Sequence, residues 1–293
     1  MVTETDGKIL NKIKQWQKES GNLPPILILY SQLFNAQLDI RSQLPEVEAG
    51  LSMSVRVPQL DRGIPLLRFE DISIDWELLR KSLQQFISIL TQFAADNPEL
   101  NTRLQNPEIL NNLPDTVREC YHAHTQNSHP QETGDDLTGL VINLAFRPFL
   151  IHYSKGLIHL VDQNQWRRGY CPVCGGIPDF AFLDKERGSR WLLCSRCDAE
   201  WLFQRLECPY CRARNSDLLS YYSDQDELYR VYVCDQCKYY LKAIDLRKTE
   251  NEVILPLERY LTTDLDAQAY RNGYLAYHSI PENDGVNKQP KIS

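Results

Sequence analysis

Eight cysteines stand in four pairs of one spacing: Cys171/Cys174, Cys194/Cys197, Cys208/Cys211 and Cys234/Cys237. Each pair is Cys-x-x-Cys, a spacing at which one tight turn directs both sulfurs toward a point. Two such pairs on adjacent hairpins close a tetrahedron around a metal ion. Nineteen residues separate the first two pairs, ten the middle two and twenty-two the last two. Separations near twenty suit a hairpin between two knuckles. The spacing therefore assigns Cys171, Cys174, Cys194 and Cys197 to one site and Cys208, Cys211, Cys234 and Cys237 to a second; a pairing swapped between the halves is the alternative. Four thiolates leave no open coordination position for a substrate or a water, which argues against metal hydrolysis. Tetrahedral sulfur suits iron and zinc alike. Thioredoxin-like redox chemistry uses one pair at a strand-to-helix junction, which four pairs at hairpin spacing do not resemble.

The two halves of this region repeat. Each runs Cys-Pro-x-Cys, a short strand, a polar turn and then Arg-x3-Cys-x2-Cys, with 179–183 answering to 217–221 and 185–188 to 224–227. Such a duplication predicts two copies of one structural unit. In Gly169-Tyr-Cys-Pro-Val-Cys-Gly-Gly176 the proline stiffens the turn, and Gly175 permits a left-handed backbone after the second cysteine. Asp198, Arg212 and Lys238 occupy that place elsewhere, so those knuckles are expected to be less ideal. The region has little apolar mass for its length and is expected to need its metals to fold.

The elements that position these cysteines differ in character along the chain. Residues 1–165 hold only Cys120 and read as helical. Ile9, Ile13 and Trp16 repeat at helical spacing, as do Leu29, Leu33, Ala36 and Ile40. Asp75 is placed to cap a helix carrying Leu78, Leu79, Leu83, Phe86, Ile87 and Leu90. Asp135 or Asp136 begins another through Leu140, Ile142, Leu144 and Ala145, which Pro148 is expected to bend or end. Beyond Gly169 the pattern turns to short alternating runs, and Arg190–Cys194 and 230–234 read as strands entering a cysteine pair. The fold class is α+β: a multihelical N-terminal domain (1–165), rubredoxin-like or zinc-ribbon-like modules at 166–204 and 205–248, and a C-terminal helical segment (249–279) with its helix near 261–269. Residues 280–293 read as a flexible tail.

Composition narrows the function classes. The chain has 293 residues, 42% hydrophobic, with a formal net charge of −7. A globular core is expected, and a general nucleic-acid coat is not. Residues 165–248 carry 14 basic against 12 acidic residues, so the basic face that Arg187, Arg190, Arg196, Arg205, Arg212 and Arg214 would offer is diluted by interleaved acids. No apolar run is long enough to span a bilayer, and the first residues do not read as a secretory signal. A cytoplasmic location is expected, where thiols stay reduced and metal ligation explains the cysteines better than disulfides. Cys120 with His122, His124 and His129 gathers further potential ligands, for which a polar surface loop is the plainer reading. His152 and His159 fall on a helical stretch and read as partly buried.

The motifs Gly169-Tyr-Cys-Pro-Val-Cys-Gly, Arg190-Trp-Leu-Leu-Cys-Ser-Arg-Cys-Asp-Ala-Glu-Trp201, Arg205-x-x-Cys-Pro-Tyr-Cys211 and Cys234-Asp-Gln-Cys-Lys-Tyr-Tyr-Leu-Lys242 together resemble the formate dehydrogenase accessory protein family, FdhE. The acid-Trp pair after the second knuckle and Tyr-Leu-Lys after the fourth are the distinctive features, with Ala145-Phe-Arg-Pro-Phe149 upstream. The resemblance implies a helical N-terminal domain, rubredoxin-like knuckles that bind iron in some members, a cytoplasmic location and a role outside catalysis. It further implies interaction with the catalytic subunit of a formate dehydrogenase. Trp191, Trp201, Tyr210, Tyr239 and Tyr240 are candidate anchors for such a client, with packing inside the ribbons as the competing role. Rubredoxin-like electron transfer through iron is the alternative function, and nucleic-acid binding through zinc ribbons a weaker one. The sequence leaves iron against zinc, and the oligomeric state, open.

Overall fold

The structure, a computed structural model, describes residues 4–20, 23–45, 57–106, 111–123 and 136–277. Its N-terminal part is built from α1 (Glu4–Ser20), α2 (Pro25–Ser42), α3 (Trp76–Phe93), α4 (Pro98–Leu104), α5 (Leu113–Ala123) and α6 (Asp136–Leu157). Asp75 caps α3 as its position predicts, its carboxylate accepting from the Leu78 N–H at 3.0 Å. Leu78, Leu79, Leu83 and Phe86 then fall on one buried face. The α2 helix is buried on two faces. Ala36 and Ile40 meet the main core, while Leu27, Tyr30, Phe34 and Leu38 meet a second cluster with Ile9 and Ile13 of α1. The stripe of Leu29, Leu33, Ala36 and Ile40 identifies only the first of these faces.

Pro148 does not end its helix. The α6 helix continues to Leu157, with Pro148 in its interior. Proline there withholds an N–H from the Leu144 carbonyl, at a cost of about 3 kcal/mol in an exposed helix. The burial of Val141, Ile142, Ala145, Phe146, Phe149 and Leu150 offsets that loss. Position 135 lies outside the described residues.

The cysteine region forms one sheet from β1 (Pro178–Leu183), β2 (Arg190–Cys194), β3 (Glu200–Phe203), β4 (Leu219–Ser223), β5 (Tyr229–Cys234) and β6 (Tyr240–Asp245). Strand order is β3-β2-β1-β6-β5-β4. Each half is an antiparallel three-stranded unit, and the two join through a parallel β1–β6 pairing that sets Ala181 opposite Ala243 and Phe182 opposite Ile244. The duplicated units thus lie side by side in one sense.

Instead of one C-terminal helix there are two short ones, α7 (Leu255–Leu261) and α8 (Thr263–Arg271), broken at Thr262. The chain then returns to the sheet. Leu275 bridges to Tyr239, its N–H donating to the Lys238 carbonyl at 2.8 Å and its carbonyl accepting from Tyr240 at 3.1 Å. The tail expected from position 280 lies outside the described residues.

All four knuckles share one geometry. The N–H of the first cysteine donates to the carbonyl five residues on: Cys171 to Gly176, Cys194 to Ala199, Cys208 to Ala213 and Cys234 to Tyr239. The residue after the second cysteine is left-handed every time, with φ of 73° at Gly175, 55° at Asp198, 65° at Arg212 and 61° at Lys238. The three non-glycine knuckles therefore reach the same turn against Cβ strain of roughly 1–2 kcal/mol each. Lys238 is exposed, and its ion pair with Asp235 is on the surface. Lys238→Gly is accordingly expected to stabilise the protein by about 1 kcal/mol. A urea midpoint that stays put or falls would show that this knuckle carries no strain.

Candidate metal centres

The sulfurs pair within each half, as the spacing predicts. In the first cluster Cys171 and Cys197 lie 3.6 Å apart and Cys174 and Cys194 3.5 Å. In the second, Cys208 and Cys237 lie 3.7 Å apart and Cys211 and Cys234 3.6 Å. All four sulfurs of each cluster fall within 4.8 Å of one another. A tetrahedron with metal–sulfur bonds of about 2.3 Å has edges of about 3.8 Å, so the thiols stand at ligand separations. They are far beyond the disulfide bond length of about 2.05 Å. Each cluster is capable of coordinating a metal ion.

A buried cation tests that fit. Arg196 sits between the two cysteines of the second knuckle and is 5% exposed. Its Nη1 donates to the Tyr121 carbonyl at 3.1 Å, and its guanidinium lies over the Tyr121 ring. Its Nε and Nη2 have no hydrogen-bond partner among the described residues. Around Gly176, where a Cβ would stand, Arg196 Cδ, Cys194 Sγ and Cys174 Sγ converge at 3.0, 3.1 and 3.3 Å. A centre of four thiolates and a divalent ion is net negative, and Arg196 supplies the opposite charge beside it. Hydrogen bonding from Cys171, with a smaller pull from the Arg196 charge, holds the Cys174 thiol low. The equivalent position in the second cluster is Gln236, so only the first has this counter-charge.

The clusters differ in burial too. Cys171, Cys174, Cys194 and Cys197 belong to the main hydrophobic core, which they share with α3, α5 and α6. The first knuckle is stitched to the helical part by N–H donation from Leu66 to Pro172 O and from Leu67 to Val173 O, both at 2.9 Å. In the second cluster Cys211 and Cys237 are half-buried, and the cluster packs apart from that core with Ala213, Leu219 and Tyr210. The two knuckle regions also touch: a Cβ at Gly169 would stand 1.9 Å from the Pro209 carbonyl oxygen, so only glycine fits there.

Buried charged side chains lock the modules in place, and several are the residues of the distinctive motifs. Arg190 and Arg230, at the same offset before their cysteine pairs, are both buried. Arg190 donates to the carbonyls of Gln204 and Glu207, and Arg230 pairs with Asp245 at 2.7 Å. Arg230 thus holds the end of its own unit, and Arg190 the junction between the two. In Tyr240-Leu-Lys242 both polar residues grip Asp266 of α8 at 2.7 Å, and Lys242 also donates to the carbonyls of Arg259 and Thr262. Arg147 of α6 donates to Ser195 O and Asp198 Oδ1. Arg259 of α7 reaches Asp198 at 2.9 Å and Asp179 at 3.2 Å.

Glu200, the acid of the acid-Trp pair, opens β3. Burial, with Asp198 near by, pushes its carboxyl up to about 7 from an ordinary 4.5. A carboxyl raised on folding favours the fold while protonated. That contribution is full below about pH 4.5 and is lost as pH rises through about 7. Glu200→Gln is therefore expected to stabilise the protein by about 3 kcal/mol at pH 8, the gain shrinking as pH falls toward 5. Denaturant unfolding across that range checks it; a gain independent of pH would assign the effect to something other than ionisation.

Of the five proposed aromatic anchors, Trp191, Tyr210 and Tyr239 are half-buried, whereas Trp201 and Tyr240 are buried. Trp201 lies wholly in the core and donates to the Arg168 carbonyl at 2.9 Å. The Trp201 ring is not presented to a partner. No basic face forms from the arginine set either: Arg190 and Arg196 are buried, and Arg212 and Arg214 both bind the buried Glu207. Among the described residues only the two cysteine clusters gather three or more potential ligands. Cys120 and His122 lie on α5, burial pushing the Cys120 thiol up to about 11. His124 and His129 lie outside the described residues. His152 is half-buried against the Pro45 carbonyl at 2.6 Å, and His159 is exposed.

A helical body carrying a duplicated cysteine ribbon defines a protein with two four-sulfur clusters, each capable of holding a metal ion. A family profile described as "FdhE, central domain" matches residues 170–205. An FdhE homolog from Aquifex aeolicus is 25% identical over 276 residues, 91% of each chain. One from Shewanella oneidensis is 30% identical over 196 residues, and this chain spans 61% of its length. Protein FdhE of Escherichia coli is 34% identical over 112 residues, 35% of its length. The crystal structure of the FdhE protein from Pseudomonas aeruginosa has the same fold, with a TM-score of 0.57 over 85% of each chain at 20% identity. The chain is thus similar to FdhE proteins, in its cysteine region by the family profile and over nine-tenths of its length in the Aquifex aeolicus homolog.

Proposed function

We propose that this chain binds the catalytic subunit of a formate dehydrogenase and supports its assembly or activation in the cytoplasm. The observation that carries the reading is the pair of closed four-thiol centres in a chain similar to FdhE proteins. They suit a rigid, metal-held surface for a protein client and leave no coordination position for a reaction. Cys171, Cys174, Cys194 and Cys197 hold one ion, and Cys208, Cys211, Cys234 and Cys237 the other, each iron or zinc. The helical domain (1–165), the modules 166–204 and 205–248 and the segment 249–279 act together through their shared charge network. Among the described residues no helix is long and apolar enough to cross a membrane.

The test is direct. The metal-loaded chain, mixed without oxygen with a formate dehydrogenase catalytic subunit, is expected to elute as a complex. Deletion of its gene is expected to abolish formate oxidation while the subunit is still made. A fully metallated chain that forms no complex would overturn the reading.

One observation favours electron transfer as the second reading: Cys211 and Cys237 reach the surface, which gives an electron a short exit from that site. About two irons per chain, with sulfur-to-iron absorption that bleaches on reduction, would support it. Two colourless zincs in protein that still matures the enzyme would remove it.

A further inference from the structure

A cleft of about 510 Å³ opens where α6, the sheet and the C-terminal helices meet. Its charged lining comes from separate segments: Arg147 of α6, Arg196 of the second knuckle, Lys242 of β6 and Arg259 of α7, with Asp179 of β1 and Asp266 of α8 among them. Tyr210, Tyr240, Tyr260 and Tyr277 add aromatic surface. Leu140 lies at the cleft 49% exposed, although the middle of α6 is buried. The volume is ordinary for a ligand site, about 300–1,000 Å³.

Five polar atoms of this lining are inaccessible to solvent and without a hydrogen-bond partner among the described residues: Asp179 Oδ1, Ser195 Oγ, Arg259 Nε, and Nε and Nη2 of Arg196. Arg259 itself is 6% exposed. An unpaired buried polar group costs about 1–3 kcal/mol, so five such atoms beside one cleft are poorly explained by stability. Together they offer guanidinium donors, an acceptor and a hydroxyl that serves as either. Both signs of charge are present, four cations with two carboxylates. A phosphate or other anion would meet Asp179 and Asp266, and a cation would meet the arginines. Main-chain amides present a donor and an acceptor at every residue and match this mixture. The tyrosines suit apolar side chains, since they give large contact area at small entropic cost and keep a polar tip.

We propose that the cleft binds an extended peptide segment of the client. The proposal rests on the reading that the chain binds a formate dehydrogenase catalytic subunit, and it names where. The experiment places a photo-crosslinking residue at Leu140, at Thr263 on the cleft's far side, or at the exposed Tyr221 of β4 as a control, in the metal-loaded full chain. Crosslinks to the catalytic subunit are expected from 140 and 263, mapping to one continuous segment, and not from 221. Leu140→Arg is expected to weaken the complex at least tenfold with unchanged metal content and melting temperature. If the complex forms but crosslinks arise only from 221, or Leu140→Arg binds normally, the cleft is overturned and client binding stands. If the unsubstituted chain forms no complex, the functional reading falls and the cleft proposal with it.

Discussion

Cys194→Ser is expected to unfold the whole chain under conditions where Cys237→Ser leaves the helical part folded. Both remove one of four ligands, but the sites stand differently in the structure. The first cluster lies inside the main core, in contact with the residues of α3, α5 and α6 that hold the helical body together. Its loss leaves three buried thiols and the Arg196 guanidinium without their counter-charge. A structural four-sulfur zinc site contributes an apparent free energy on the order of 10–16 kcal/mol, as large as the whole stability of an ordinary domain. The second cluster packs in a small group of its own, with Cys211 and Cys237 half-buried. Its loss is expected to loosen the β4–β5 hairpin and the bridge at Leu275 while one metal stays bound. Metal analysis with circular dichroism melting separates the two variants. A chelator with a thiol reagent should extract metal from the unsubstituted protein in two phases, the second cluster first and at least tenfold faster. Release in a single phase, or equal stability of the two variants, would show that the clusters are equivalent.

What could be read from the sequence follows from how locally each feature is determined. The ligand sets depend on a turn of four residues and a hairpin of about twenty, both written in the spacing, and the structure pairs the sulfurs accordingly. The Asp75 cap and the stripe of α3 are equally local. The parallel joining of β1 to β6 is not, since it links strands about sixty residues apart and no short pattern encodes it. The continuation of α6 through Pro148 was hidden because tertiary burial overrode a local preference. The knuckle turns at Asp198, Arg212 and Lys238 are less ideal by residue type, yet they take the glycine geometry, because hydrogen bonding within the knuckle outweighs the strain. Trp201 looks like a surface anchor only when its depth in the sheet is unknown. The buried charge network left a faint signal. Arg190 and Arg230 recur at one offset in the repeat, and Lys242 and Asp245 sit in a strand whose every residue is buried.

Arg259→Met is the second large effect. Arg259 binds Asp179 and Asp198 and also approaches the carbonyl of Cys194, so one side chain joins α7, β1 and the second knuckle. Methionine preserves much of the volume and removes every donor. Asp198 keeps Arg147, but Asp179 loses its ion-pair partner. Removing one member of a buried pair costs about 3–5 kcal/mol, and because the Asp179 side chain is 33% exposed the lower end, about 3 kcal/mol, is expected. The sign of the pH dependence follows. Burial already raises the Asp179 carboxyl, against the pull of Arg259 and then Arg147. Without Arg259 it rises further, so the protonated fold is favoured at low pH and the defect grows as pH climbs through the new value. Asp179→Asn in the same chain is expected to recover most of the loss, because it removes the stranded charge. Arg259→Lys is expected to recover little, since one ammonium cannot span two carboxylates and a carbonyl in a fixed plane. A loss under about 1 kcal/mol, or one that Asp179→Asn leaves untouched, would mean that packing rather than the charge network holds the C-terminal helices to the ribbon.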